Sequence, residues 1–425
     1  LRIDGDSYTL DIVGEVAGVG RDLRVNGAAT LSARDLAAFS GLAGRQVGGA
    51  AELSIIGNGD LLGGRFDVLM TGEAQDLTLD QRLADQLLVG GAELRVHSIR
   101  DEAGTRIEEF IVTSAAVRAE GSGVLRTDAT EITLTASLDD AGRLVEGLSG
   151  PVVLEGVLEE GLDRVRFNIS GTGPETALTT AGTFGGAETP HLLSANSVLV
   201  ASDLSIFAPL TGLDLTGSAE LSVQTQLDTE TYSGTVTLNG TGQNLGVGNE
   251  RVDTMLAGNA TVSARLSRVP GRTNLNSFAV VTPILTASAV GVLEGERRAL
   301  TLNAKLEDAG LVVESLAGPL SIEGHVTQSG PDRLDVNVTG EGQSFDLIAV
   351  GALGALDDVP LFIGTARVDS PDISVFSALA KRPISGEIDV TVEGSTRVDL
   401  STFDLDVAAT SVDLIVGQGV ADRLL

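Results

Sequence analysis

Residues 35–55 read DLAAFSGLAGRQVGGAAELSI, residues 203–223 read DLSIFAPLTGLDLTGSAELSV, and residues 372–392 read DISVFSALAKRPISGEIDVTV. Each stretch opens on an aspartate and runs through a short apolar segment with phenylalanine at its fifth position (Phe39, Phe207, Phe376). Each then turns and enters a strand-like alternation. The three starts lie 168 and 169 residues apart, which marks an internal repeat and makes the repeat the unit of the fold. Asp35, Asp203 and Asp372 stand where a short helix needs an N-terminal acceptor. The phenylalanines stand where such a helix would seat on a sheet.

The same offsets extend outward. SYTLDIVGEV (7–16) has counterparts in ETALTTAGTF (175–184) and SFDLIAVGAL (344–353). LDQRLADQLL (79–88) has the spacing of a short helix, with Leu83, Leu87 and Leu88 on one face. Its counterparts are ERVDTML (250–256) and ADRLL (421–425). LDDAGRLVEGLSGPVVLEG (138–156) matches LEDAGLVVESLAGPLSIEG (306–324) at 11 of 19 positions, and each predicts a helical turn closed by Gly-Pro. The extra residue of the longer offset falls in the turn after Gly324, where an insertion leaves the flanking strands on their faces. The sequence therefore divides into a first unit at 1–168, a second at 169–337 and a partial third at 338–425, with no linker between them.

Between these turns the chain alternates. Ile132, Leu134 and Leu138, then Leu334, Val336 and Val338, then Ile388, Val390 and Val392, and finally Phe403, Leu405 and Val407 recur at every second or fourth position, with polar residues between them. A period of two describes strands with one apolar and one polar face. Short connections imply antiparallel neighbours, roughly 30 strands in all at six to ten residues each. A flat sheet of that extent leaves its apolar face wet and accumulates twist. The fold class is therefore mainly β: an elongated antiparallel sheet curled along its length into a hydrophobic groove, with a few short helices. A β-solenoid is the alternative. The long period and the irregular spacing of smaller themes favour the curled sheet.

Composition bounds the chemistry. The 425 residues carry a net charge of −31 with a pI near 4.3, so the chain has no basic stripe for nucleic acid. Aromatic residues make up only 3%, which fits a thin β-architecture better than a thick globular core. Cysteine is absent, which excludes disulfides, thiolate zinc sites and cysteine nucleophiles. His97, His191 and His325 have no metal-ligand spacing and no histidine counterparts in the other copies. No phosphate-cradling glycine loop or calcium loop is present. Asp139-Asp140 and Glu159-Glu160 fall in expected turns, where carboxylates solvate or cap. The expectation is a non-enzymatic protein without metal or cofactor. No apolar run reaches the 18 residues of a spanning helix, and the chain opens on Leu1 without a signal peptide, so it reads as an internal portion of a longer protein.

The recurring D-L-x-x-φ-x-x-L module, in an acidic, cysteine-free, strand-rich array, resembles TamB-type proteins of Gram-negative bacteria. These belong to the AsmA-like group of bridge-like lipid-transfer proteins. The resemblance covers the chain as a middle portion. It implies an open hydrophobic groove, often described as a taco, in a periplasmic protein anchored in the inner membrane by a segment outside this sequence. It also implies that phospholipids move along the groove toward the outer membrane. The twelve alternating residues named above are then the groove lining, with acyl chains as partners and weak headgroup specificity. A TamA-like outer-membrane barrel is a further implied partner. Two other readings stay open: a scaffold that assembles outer-membrane proteins by strand addition, and a secreted β-solenoid adhesin.

Overall fold

The structure is a computed structural model that describes residues 1–417 apart from 19–22, 61, 127–128, 144, 296, 312–315, 331, 355–358 and 398–400. The expected match at 421–425 lies outside the described residues. The chain forms two compact units, Leu1–Gly212 and Leu213–Leu425.

The first unit holds β1 (Arg2–Asp4), β2 (Tyr8–Ala17), β3 (Arg24–Ala33), β4 (Gly48–Asp60), β5 (Arg65–Thr78), β6 (Gly91–Asp101) and β7 (Gly104–Ser114). It continues with β8 (Val117–Leu125), β9 (Thr130–Leu138), β10 (Val152–Glu160), β11 (Arg164–Gly173), β12 (Thr176–Gly185) and β13 (Leu192–Ala201). The second unit holds β14 (Thr216–Asp228), β15 (Ser233–Gly246), β16 (Asn259–Val269), β17 (Arg272–Val281), β18 (Leu285–Glu294) and β19 (Arg297–Leu306). It ends with β20 (Leu320–Gly330), β21 (Arg333–Glu341), β22 (Asp346–Gly354), β23 (Leu361–Ser370), β24 (Ser385–Arg397) and β25 (Phe403–Ile415).

Within each unit every strand pairs antiparallel with its neighbours in sequence, and among the described residues no pairing closes either ladder on itself. This is an open antiparallel meander. A solenoid would stack parallel coils, so that alternative is set aside. The described strands are fewer than expected because several are longer: β5 and β15 each run 14 residues.

In a meander, alternate connections emerge on alternate rims. Here the two rims differ. Every connection from an odd to an even strand within a unit lies on one rim, and this rim carries the helical turns. In the first unit these are Leu36–Phe39 with α1 (Ser40–Ala43), then α2 (Arg82–Leu87), then Ala141–Arg143. The turn Leu204–Phe207 and α3 (Ala208–Thr211) follow β13. In the second unit they are α4 (Glu250–Leu256), Ala309–Leu311 and Ile373–Phe376. Connections from even to odd strands are mostly tight hairpins. The helix expected over 79–88 is α2, and the one expected over 250–256 is α4.

Local chemistry explains the turns. Asp35, Asp203 and Asp372 each accept a hydrogen bond from the backbone N–H two residues on, at Ala37, Ser205 and Ser374. The Ser205 and Ser374 N–H groups hold the Asp203 and Asp372 carboxyls below the ordinary carboxylate range. Phe39 meets Tyr8 with ring centroids 5.0 Å apart, and Phe376 meets Phe345 at 5.3 Å. Asp140 works as a turn cap: its Oδ1 accepts from the Gly142 and Gly150 N–H groups. Glu159 and Glu160, expected in a turn, instead end β10.

A bulge lies within each copy of the opening module. The β4–β5, β14–β15 and β24–β25 registers all shift at their helical-rim ends. Gly49, Gly217 and Gly386 sit there at φ of 95°, 94° and 116°, opposite Asp76, Asn244 and Asp413 in left-handed conformation. Such bulges increase local twist and re-aim the strand.

The closed core is a strip along the helical rim. Ala33, Leu88, Val117, Leu138 and Ala201 are buried there in the first unit. In the second, Leu306, Ala309, Leu316 and Leu320 form one cluster, against which Met255, Phe345 and Phe376 pack. A buried hydroxyl ties this strip together. Thr282 Oγ1 accepts from the Ile284 and Leu285 N–H groups and donates to the Met255 carbonyl at 2.8 Å. Ser114 does the same for Ala116, Val117 and Leu87 at the equivalent place in the first unit. Thr282→Val leaves these backbone groups without their partner, and a loss of about 2 kcal/mol is expected in a urea melt.

Candidate binding face

The register assigns each strand residue to one of two faces, because directly opposed residues share a face. In the first unit one row runs Leu10, Leu31, Leu53, Gly72, Leu94, Val112, Ala119, Ala136, Leu154, Gly171, Leu178, Leu199 across β2 to β13. In the second unit the corresponding row runs Leu221, Gly240, Val262, Val280, Ala287, Ala304, Ile322, Gly340, Leu347, Val368, Val390, Ala409 across β14 to β25. No polar side chain interrupts either row. Each spans roughly 50 Å measured along the sheet at about 4.8 Å per strand. The neighbouring row of the opposite face includes Asp11, Thr30, Ser54, Thr71, Arg95 and Glu120.

All twelve residues singled out from the sequence lie on the apolar face. Ile132, Leu134 and Leu138 of β9 oppose Gly123, Gly121 and Val117 of β8. Leu334, Val336 and Val338 of β21 oppose Leu353, Gly351 and Ala349 of β22. Ile388, Val390 and Val392 of β24 oppose Ser370, Val368 and Ala366 of β23, and Phe403, Leu405 and Val407 of β25 oppose Thr396, Gly394 and Val392. They differ in surroundings. Leu138 is 4% exposed and belongs to the rim core, whereas Leu134 is 44% exposed and Val407 is 64% exposed. Away from the rim no second layer among the described residues packs on this face. Leu300 and Leu302 there are each 40% exposed, and most other large side chains of the face are half-buried. Contiguous apolar surface of this extent marks a binding region.

Most of the charge lies on the other face, apart from four residues at the hairpin rim of the apolar one, Arg100, Glu160, Arg268 and Arg298. Two shallow depressions of about 620 and about 580 Å3 lie on the polar face, lined by Glu52, Glu73, Glu93 and Arg95 in one and by Lys305, Glu323 and Glu341 in the other. Their concavity comes with carboxylates that acyl chains would desolvate, so they are no match for apolar ligands. His97 donates or accepts at Asp67 over 2.8 Å, and His325 contacts Thr301 and Thr327. Both histidines project from the polar face. Among the described residues, no group of three or more His, Asp or Glu side chains is placed to hold a metal ion, and no helix is long and apolar enough to cross a membrane.

At several glycines of the apolar face the facing strands leave no room for a side chain. Gly351, Gly364 and Gly394 are in register on β22, β23 and β24, between Val336 and Leu405. A Cβ on Gly364 would meet the Val350 carbonyl oxygen and come within 2.6 Å of the Gly351 Cα. Gly14 and Gly27 oppose each other in the same way on β2 and β3, where a Cβ on Gly27 would lie 2.6 Å from the Val13 carbonyl oxygen. Glycines placed in this way let a sheet curve.

Sequence reasoning passed over these glycine lines, the bulge pairs and the two charged positions described below. The repeat offset carried a signal for some of them, since Gly49, Gly217 and Gly386 recur at 168 and 169 residues. No protein-family model matches this chain, and no curated protein matches it significantly.

Proposed function

We propose that the chain is a non-enzymatic conduit for phospholipids, with acyl chains lying on the apolar face and headgroups toward its wetter margin. The observation that supports this reading is the unbroken apolar row in each unit, left partly exposed on a face over which the described residues lay no second layer. Apolar surface of this kind gains about 25 cal/mol per Å2 removed from water, which favours long hydrocarbon over any polar ligand. The acidic opposite face keeps such a protein dispersed. In this reading the protein acts in the periplasm, held to the inner membrane through a segment outside this sequence, as in the TamB-like proteins it resembles.

The test is native mass spectrometry of the purified chain. Adducts with the masses of phospholipids are expected, and they should be released by mild detergent. A chain that carries no lipid after extraction from a lipid-rich lysate, and takes up none from vesicles, would sink the conduit reading.

A further inference from the structure

The apolar face of the second unit carries two charged residues within its paired positions, Arg268 and Arg298. They fall in one cross-strand row at the hairpin rim: Arg268 opposes Thr273, Thr273 opposes Leu293, and Leu293 opposes Arg298. Three strand spacings separate the arginines, roughly 14 Å. Directly inside this row come Leu266, Leu275, Gly291 and Leu300. Leu266, Leu293 and Leu300 are each between 37% and 49% exposed. Both guanidinium groups are exposed, and among the described residues neither forms an ion pair. In a chain of net charge −31, unpaired arginines beside exposed leucines are a local reversal of sign.

We propose that this row is a headgroup station for anionic amphiphiles: Arg268 and Arg298 hold a phosphate-bearing headgroup of net negative charge while hydrocarbon lies inward over Leu266 and Leu300. The inference rests on the conduit reading and adds a lipid class to it. Guanidinium groups bind phosphate through paired N–H donors, and Thr273 between them adds a hydroxyl. The site is specific to the second unit. The equivalent row of the first unit runs Arg100, Thr105, Leu125, Thr130, Glu160. There Arg100 already donates to the Thr105 hydroxyl at 3.1 Å, a neutral Thr130 stands where Arg298 would be, and Glu160 opposes an anion.

The test compares retention of fluorescent phosphatidylglycerol, which is anionic, with that of phosphatidylcholine, which is zwitterionic, on the full chain. The wild type is expected to favour phosphatidylglycerol by about three- to tenfold at low salt, with the preference shrinking as salt is raised. The double variant Arg268→Gln, Arg298→Gln should lose that preference and retain phosphatidylcholine as before. Arg100→Gln should leave it intact. Equal retention of both lipids by the wild type would overturn the headgroup station while leaving the conduit reading in place. So would a preference that survives in the double variant, or loss of both lipids from it. Retention of neither lipid by the wild type would overturn both.

Discussion

Val336→Asp combined with Val390→Asp is expected to reduce lipid retention at least tenfold while leaving the fold in place. Both valines lie on the apolar face, on β21 and β24, and both are half-buried and away from the rim core. A carboxylate there stays solvated while the face is empty, so the ladder survives. Covering it with hydrocarbon strips that water, and an unpaired charge in an apolar contact costs several kcal/mol. The measurement is lipid uptake from vesicles beside a far-UV circular dichroism spectrum. Unchanged uptake with an unchanged spectrum would remove the apolar face from consideration as the lipid path. The same substitutions on the polar face, at Asn337 and Thr391, serve as the matched control, because they should alter neither readout.

Gly364→Val should destabilise the second unit by about 3 kcal/mol, the largest effect on stability expected from a single change on this face. The new side chain meets the Val350 carbonyl and the Gly351 Cα, both backbone, so no rotamer relieves the clash. Strands β22 to β24 would have to separate or flatten. Gly324→Ala is the comparison: it lies on the same face, on β20, and its Cβ would find its nearest neighbours at 4.0 Å. That variant should melt within about 0.5 kcal/mol of the wild type. Equal urea midpoints for the two variants would refute the close-approach account of the glycine line.

The faces were legible in the sequence because a period of two needs no knowledge of which strand is which. Ile388, Val390 and Val392 alternate with Asp389 and Thr391, and the register puts the first three together. The caps at Asp35, Asp203 and Asp372 were legible because capping is local. Arg268 was legible in principle, since it follows Val262, Ala264 and Leu266 in step, yet a charge is ordinarily assigned to the solvated face. Rim assignment was not legible. It depends on counting strands, and shorter strands in larger number give a different alternation. Nor could the glycine line be found from Gly351 alone, because its meaning comes from Gly364 and Gly394 beside it, and those are neighbours only once pairing is fixed. The register shift on β17, at Asn276 against β16 and across Asn276 and Ser277 against β18, moves the face pattern by an amount that local propensity does not specify.

The rim core also divides the labour of cohesion. Along the helical margin each unit is bound as a book is bound at its spine, by Leu306, Leu316 and Leu320 and by hydroxyls such as that of Thr282. Along the other margin the described strands are joined by ladder hydrogen bonds, with no buried cluster among the described residues. Fluctuations that part neighbouring strands there leave the buried strip untouched, so local opening and global unfolding are separate events. In the conduit reading, a cargo that loosens the hairpin margin would leave the bound spine intact.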